Sequence, residues 1–129
     1  MVYTSYFGGL KKLGADISHV ICVARYLPRE LNCKQALELA PTAELLKEYK
    51  AGRLTDLDYV LKYKAEILDK LDPAEIVAKY DNMILCCYEK PTDLCHRHCI
   101  RLWLTTARYN CEELGFAITD VWPICLDKQ

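Results

Sequence analysis

Two nearly continuous apolar runs constrain the fold of this chain more than any other feature. Residues 17–23 and 83–88 each contain at least four consecutive apolar side chains without polar alternation. A strand with this pattern is covered on both faces, as in a parallel sheet that carries helices. We therefore predict that both runs are buried strands.

The rest of the chain alternates strands with helices. Residues 2–7 predict a first strand that ends at Gly8 and Gly9. Thr55 has the residue type of a helix N-cap, and Asp72 followed by Pro73 is typical of a helix start. The predicted helices cover residues 41–52, 55–71, 72–80 and about 95–114, and a last strand covers residues 117–122. This order predicts an α/β fold, with a Rossmann-like, open and mainly parallel sheet flanked by helices.

Length and composition favour a single domain over residues 1–129 that binds a small molecule. The 129 residues are 52% hydrophobic and carry a net charge of −1, which gives no electrostatic reason to expect nucleic-acid or membrane binding. No signal peptide or membrane-spanning stretch is evident, so we expect a cytoplasmic protein with reduced cysteines. A homodimer is compatible with so short a chain, although no residue argues for it.

Ligands of such sheets bind outside the carboxyl ends of the strands. Three loops would meet there, over residues 5–9, 25–28 and 89–97. The polar and aromatic residues near these loops are our candidate ligand-binding residues: Tyr3, Ser5, Tyr6, Arg25, Tyr26, Glu89, His96 and Arg97.

Two residues near the third strand, Cys95 and Glu89, are our candidates for catalysis. Cys95 stands in the first turn of a predicted helix, whose dipole favours a thiolate, and His96 is an adjacent base or cationic partner. Glu89 could act as a general base, bond a ribose hydroxyl or hold Arg97 in place. Arg25 and Arg97 suit a phosphate or carboxylate, although each could instead form an ordinary ion pair.

The chain resembles the domain-of-unknown-function 488 family in both halves. Residues 85–91 followed by Cys95-His96-Arg97 stand where that family has a strand ending in an acid–lysine pair before Cys-His-Arg. In the N-terminal half, Tyr3-Thr4-Ser5 and residues 23–28 match a Tyr-Thr-containing strand and an Asp-Val-Arg-like motif followed by proline, except that the acid is missing. The resemblance implies a compact α/β domain with a polar site, and it names no substrate or cofactor.

A metal site is the main alternative for the cysteines. Cys95, His98 and Cys99 share one helix face, but a second pair of ligands is missing, so we predict no metal site. The leading hypothesis is a crevice that binds a small anionic, nucleotide-like ligand, as a transferase or a hydrolase. The alternatives are a protein that captures or senses such a metabolite without turnover, and a protein-interaction module whose motif is structural.

Overall fold

The computed structural model describes residues 1–10, 16–27, 31–88 and 95–114. Within these ranges the sheet is parallel throughout. Its strands are β1 (Val2–Tyr6), β2 (Val20–Cys22), β3 (Lys34–Gln35), β4 (Ile84–Cys87) and β5 (Cys111–Glu113). The order across the sheet is β3-β2-β4-β1-β5, and each neighbouring pair is parallel. Each apolar run contains a fully buried strand, as predicted, and these two strands, β2 and β4, are adjacent.

The helices are α1 (Ala43–Lys50), α2 (Asp56–Glu66), α3 (Pro73–Lys79) and α4 (His96–Thr106), and short 3-10 turns connect several elements. The predicted starts at Thr55 and Asp72 are confirmed, since both side chains accept a backbone N–H at an N-terminus, and Thr42 caps α1 in the same way. Gly52, with a φ of 77°, takes the left-handed conformation that ends α1. None of the helices in the described ranges combines the length and apolar character needed to cross a membrane.

The main core lies between the sheet and the helices. Leu85 and Cys87 of β4 belong to a buried cluster that also contains Ile100 and Leu104 of α4. A smaller cluster on the opposite face contains Val20 and Cys86. The predicted Rossmann-like α/β class is confirmed, with α4 packed against β1, β4 and β5.

The prediction of one helix from residue 95 to residue 114 is wrong in its second half. The helix ends at Thr106, and Arg108 turns the chain with a φ of 70°. Cys111 then pairs with Val2, and the strand it begins forms one edge of the sheet. Cys-Glu-Glu carries no local strand signal, so only the partner strand selects this conformation.

The other differences concern element ends. β2 begins at Val20 rather than Ile17, because residues Ile17–His19 form a 3-10 turn capped by Asp16. The two-residue strand β3 was not predicted at all. The strand predicted over residues 117–122 lies outside the described residues.

Candidate functional site

A cavity of about 190 Å³ opens at the carboxyl ends of β2 and β4. Its walls come from the loop after β2, the residues on either side of segment 89–94, and the helices α1, α2 and α4. The described lining residues are Ala24, Arg25, Pro41, Leu46, Tyr49, Lys50, Tyr59, Tyr88, Cys95 and His96. The structure therefore brings together Arg25, Cys95 and His96, which the sequence analysis nominated from two separate loops.

The loop after β2 is held in place by backbone acceptors. Gln35 of β3 donates from Nε2 to the carbonyls of Ala24 and Arg25, at 3.1 and 3.0 Å. Arg25 donates from Nε to the Pro41 carbonyl at 3.0 Å. Within the described part of the chain its two terminal nitrogens make no hydrogen bond, so the end of the guanidinium can serve a ligand.

Tyrosine rings form one wall of the cavity. The short connection between α1 and α2 brings Tyr49 and Tyr59 together, with ring centroids 4.4 Å apart and planes 26° from parallel. Tyr63 continues the row beneath Tyr59 and meets the His96 ring edge-on at 5.4 Å. The Tyr63 hydroxyl donates to the Leu39 carbonyl at 2.6 Å. The row is therefore fixed at its buried end and reaches the cavity at Tyr49 and Tyr59.

His96 is a neutral imidazole with a defined tautomer. Its Nε2 lies 2.6 Å from the Val23 carbonyl oxygen, which can only accept, so Nε2 carries the proton. Nδ1 is then an acceptor and lies 3.7 Å from Cys95 Sγ. Burial, together with the nearby charge of Arg97, lowers the pKa of His96 to about 4 despite the bond to Val23. His96 is therefore neutral near neutral pH, and its Nδ1 lone pair faces the Cys95 sulfur.

This low pKa predicts a loss of stability in mild acid. Between pH 6.5 and 4 the unfolded chain binds a proton at His96 that the folded protein does not, so the free energy of unfolding falls as the pH falls. The contribution is about 3 kcal/mol across that window. Urea unfolding measured at several pH values should show that the free energy of unfolding falls less steeply with decreasing pH in His96→Gln than in wild type. The glutamine amide N–H of this variant can still reach the Val23 carbonyl.

The comparison between the two proteins isolates His96 from other titrating groups. Burial, reinforced by the charges of Arg97 and Arg101, lowers the pKa of His98 to about 3, and that effect is common to both proteins. Equal slopes for wild type and His96→Gln would show that His96 is not held neutral by the fold.

The prediction of reduced cysteines does not hold for one pair, because Cys87 and Cys95 form a disulfide. Cys87 is the last residue of β4 and Cys95 is the N-cap of α4, so the end of the strand and the start of the helix place both sulfurs together. Among the other described cysteines, Cys22, Cys33, Cys86 and Cys99 are free thiols. Cys125 lies outside the described residues.

Arg97 lies beneath the cavity in a buried ion pair. Its Nε and Nη2 donate to Glu113 Oε2 at 3.0 and 2.9 Å, and both side chains are almost fully buried. Its Nη1 donates to Cys87 Sγ at 3.0 Å, and Thr4 donates its hydroxyl to Glu113. The ion pair that the sequence analysis gave as the alternative for Arg97 is thus present, with Glu113 as the partner.

The remaining nominated residues lie at other places. Ser5 is buried and donates its hydroxyl to the Leu114 carbonyl at 2.7 Å. The Tyr6 ring stands over the Arg97 guanidinium at 5.9 Å, and the Tyr26 side chain is exposed. Tyr3 packs, partly buried, against the smaller core cluster. Glu89 lies outside the described residues.

Two groups of residues bear on metal binding. His98 and Cys99 line a separate apolar cavity of about 480 Å³ between α2 and α4, beside Leu102 and Trp103, and Cys95 does not line it. The donor atoms of Cys87, Cys95 and His96 lie within 4.8 Å of one another, which is the spacing of metal ligands. Zinc binds thiolates, so this second group could hold it only after the disulfide is reduced.

Several residues that build the site were not nominated from sequence. Gln35, Lys50 and Glu113 belong to no sequence motif. Each takes part in the site only because folding brings it close to residues that are distant in the sequence. Tyr49 and Tyr59 stand at helix positions that are typical of amphipathic core. The short connection between their helices is the one signal that could have placed their rings face to face.

The fold and the cavity together define a Rossmann-like protein with a polar site at the carboxyl edge of its sheet. Residues 9–108 match the family described as the active DUF488-N3 subclade, DUF488-N3a, and the chain belongs to that family. Neither a curated protein nor a solved structure matches the chain.

Proposed function

We propose that the cavity at the carboxyl ends of β2 and β4 binds a small anionic, nucleotide-like ligand. The observation that carries this is the charge of its walls: among the described lining residues Arg25 and Lys50 are cationic and none is acidic. A guanidinium offers a planar pair of donors to phosphate or carboxylate. The small volume suits one compact ligand rather than a polymer.

The tyrosine wall supports a planar group on the ligand. Tyr49 and Tyr59 face the same cavity as the two cations, and their stacked rings offer an aromatic surface. A nucleobase on this surface would leave the phosphate near Arg25. Stacking of a base on an aromatic side chain contributes roughly 1–3 kcal/mol.

The same cavity supports a catalytic role as a transferase or hydrolase that acts on a phosphate- or ribose-bearing substrate. In the reduced protein, Cys95 would be the nucleophile and His96 Nδ1, 3.7 Å away, would accept its proton. The family description calls this subclade active, which favours catalysis. Glu89 remains a candidate general base or ribose-binding residue.

Binding without turnover is the second candidate. With a pKa of about 4, His96 is a weak base, and Cys95 in its disulfide has no thiol proton to give. A protein that captures or senses the ligand needs only Arg25, Lys50 and the tyrosines. In either case we propose that Arg97 is a positioning residue, which holds Glu113 and Cys87 beneath the cavity.

We further propose that the protein works in the cytoplasm with most of its cysteines reduced. The free thiols of Cys22, Cys33, Cys86 and Cys99 support this. A homodimer stays a hypothesis without a supporting contact.

The proposal predicts that affinity depends on the phosphate. We expect nucleoside 5′-monophosphates to bind at least about 10-fold more tightly than the matching nucleosides, because hydrogen bonds to charged groups contribute about 1.5–3 kcal/mol. Isothermal titration of the four monophosphates and their nucleosides, with ribose 5-phosphate as the control that lacks a base, would measure this. Equal affinity for nucleoside and nucleotide, or no binding of any phosphate, would refute the anionic site.

A further inference from the structure

We propose that Cys87 and Cys95 form a reversible thiol–disulfide exchange site that opens into the cavity and decides whether Cys95 is available there as a nucleophile. The exchange itself stands on the disulfide and its surroundings. The consequence for the cavity rests on the proposed function. No other described pair of cysteines is bonded.

The two sulfurs have different surroundings, which sets the direction of exchange. Cys95 is 3% exposed and lines the cavity, so its sulfur is the one of the pair that a small thiol would approach. Cys87 is fully buried and does not line the cavity, and Arg97 Nη1 donates to its sulfur at 3.0 Å. A thiolate leaves a disulfide more readily when a cation stabilises it. Attack is therefore at Cys95, and Cys87 is the leaving group.

The exchange balances with a low-molecular-weight thiol, such as glutathione, as the reductant. Its thiolate forms a new bond to the Cys95 sulfur, and the bond between Cys87 and Cys95 breaks, with the electron pair leaving on Cys87 beside Arg97. A second thiol then attacks the mixed disulfide, releases Cys95 as a thiolate and leaves as the oxidised dimer of the reductant. Two electrons pass to the protein; one proton of the two small thiols ends on Cys95, and the other is released to solvent because Cys87 stays a thiolate beside Arg97. The reverse sequence uses the oxidised dimer as the oxidant.

His96 is placed to assist the Cys95 half of this exchange. Nε2 donates to the Val23 carbonyl, so the Nδ1 lone pair faces the Cys95 sulfur at 3.7 Å. Nδ1 can therefore take the proton of an incoming thiol at Cys95 and later return it to the departing Cys95 thiolate. No such acceptor is required at Cys87, because the guanidinium stabilises its thiolate directly.

Cys86 provides a matched control from the adjacent position. It points to the opposite face of the sheet, packs with Val20 and Ile84, and burial raises its pKa. Cys86 should therefore stay protonated and take no part in exchange.

The test equilibrates the full chain in glutathione buffers of increasing oxidation, quenches with an alkylating agent and maps the cysteines by peptide mass spectrometry. We expect a Cys87–Cys95 linked peptide to appear and disappear reversibly, with the loss of two alkylation labels per chain in the oxidised state. Cys86→Ala should keep the linked peptide, whereas Cys87→Ala should lose it and accumulate glutathione on Cys95. Cys95→Ala should carry no glutathione on Cys87, because that sulfur is buried.

Three results would overturn the proposal. The first is no linked peptide in any buffer, and the second is a link from Cys95 to a cysteine other than Cys87. The third is a stoichiometric zinc ion on the reduced protein that blocks oxidation, which would assign Cys87, Cys95 and His96 to metal binding. All readouts are made without a ligand, so they are independent of nucleotide binding. A redox-dependent change in nucleotide-driven turnover, measured separately, would then test the consequence for the cavity.

Discussion

Arg97→Met is expected to lower the free energy of unfolding by about 3–5 kcal/mol, the cost of removing one partner from a buried ion pair. The substitution leaves the Glu113 carboxylate buried with its charge unbalanced, since both side chains of the pair are almost fully excluded from water. It also removes the donor to Cys87 Sγ. Urea unfolding monitored by circular dichroism would measure the change.

A control and a double variant make this prediction specific. Lys64→Met removes an exposed ion pair with Asp69 and should cost no more than about 1 kcal/mol. The double variant Arg97→Met with Glu113→Leu should recover much of the loss, because neither charge then remains buried. If Arg97→Met lowered the free energy of unfolding as little as Lys64→Met, the buried ion pair between α4 and β5 would not contribute the predicted stability.

Arg25→Ala is expected to weaken the binding of nucleoside 5′-monophosphates by about 10- to 100-fold. The estimate corresponds to the loss of charge-assisted hydrogen bonds, which contribute about 1.5–3 kcal/mol. Arg25→Lys should fall between wild type and Arg25→Ala, because lysine keeps the charge and loses the planar pair of donors. Isothermal titration against the same nucleotides would measure all three proteins.

Lys34→Ala is the matched control for Arg25→Ala. Lys34 is exposed on the neighbouring strand β3 and does not line the cavity. Its substitution by alanine removes one positive charge, as Arg25→Ala does. We expect its affinity to stay within about 2-fold of wild type, since exposed charges far from a ligand are largely screened. An equal loss for Lys34→Ala and Arg25→Ala would mean that overall charge, rather than the cavity, attracts the ligand.

Features with local causes could be predicted from the sequence. The apolar runs identified β2 and β4, because burial on both faces leaves no polar position in the strand. Thr55 and Asp72 marked helix starts, because a cap bonds to backbone only two or three residues away.

Features with distant causes could not be predicted. β5 is a strand because Cys111 pairs with Val2 and Glu113 pairs with Arg97, and neither partner is near in sequence. β3 has only two residues, which is too short for a periodic pattern. The disulfide depends on where the end of β4 meets the start of α4, which no spacing of cysteines reveals.

The candidate site likewise contains features that could be predicted from the sequence and features that could not. Arg25, Cys95 and His96 could be nominated together, because the carboxyl ends of parallel strands lie at one edge of a sheet. Which polar residues would point into the cavity could not be predicted. Arg97 turned out to lie beneath it, where Glu113 and Cys87 take its donors.

The central claim is that an anionic, nucleotide-like ligand occupies the cavity at the carboxyl ends of β2 and β4. The most direct test is a titration of ¹⁵N-labelled protein with a nucleoside 5′-monophosphate, followed by backbone amide chemical shifts. We predict saturable shifts that concentrate on Arg25, Lys50 and His96, the residues that surround this cavity. Shifts confined to Leu102 and Trp103 beside the apolar cavity between α2 and α4, or no saturable shifts at all, would contradict the claim.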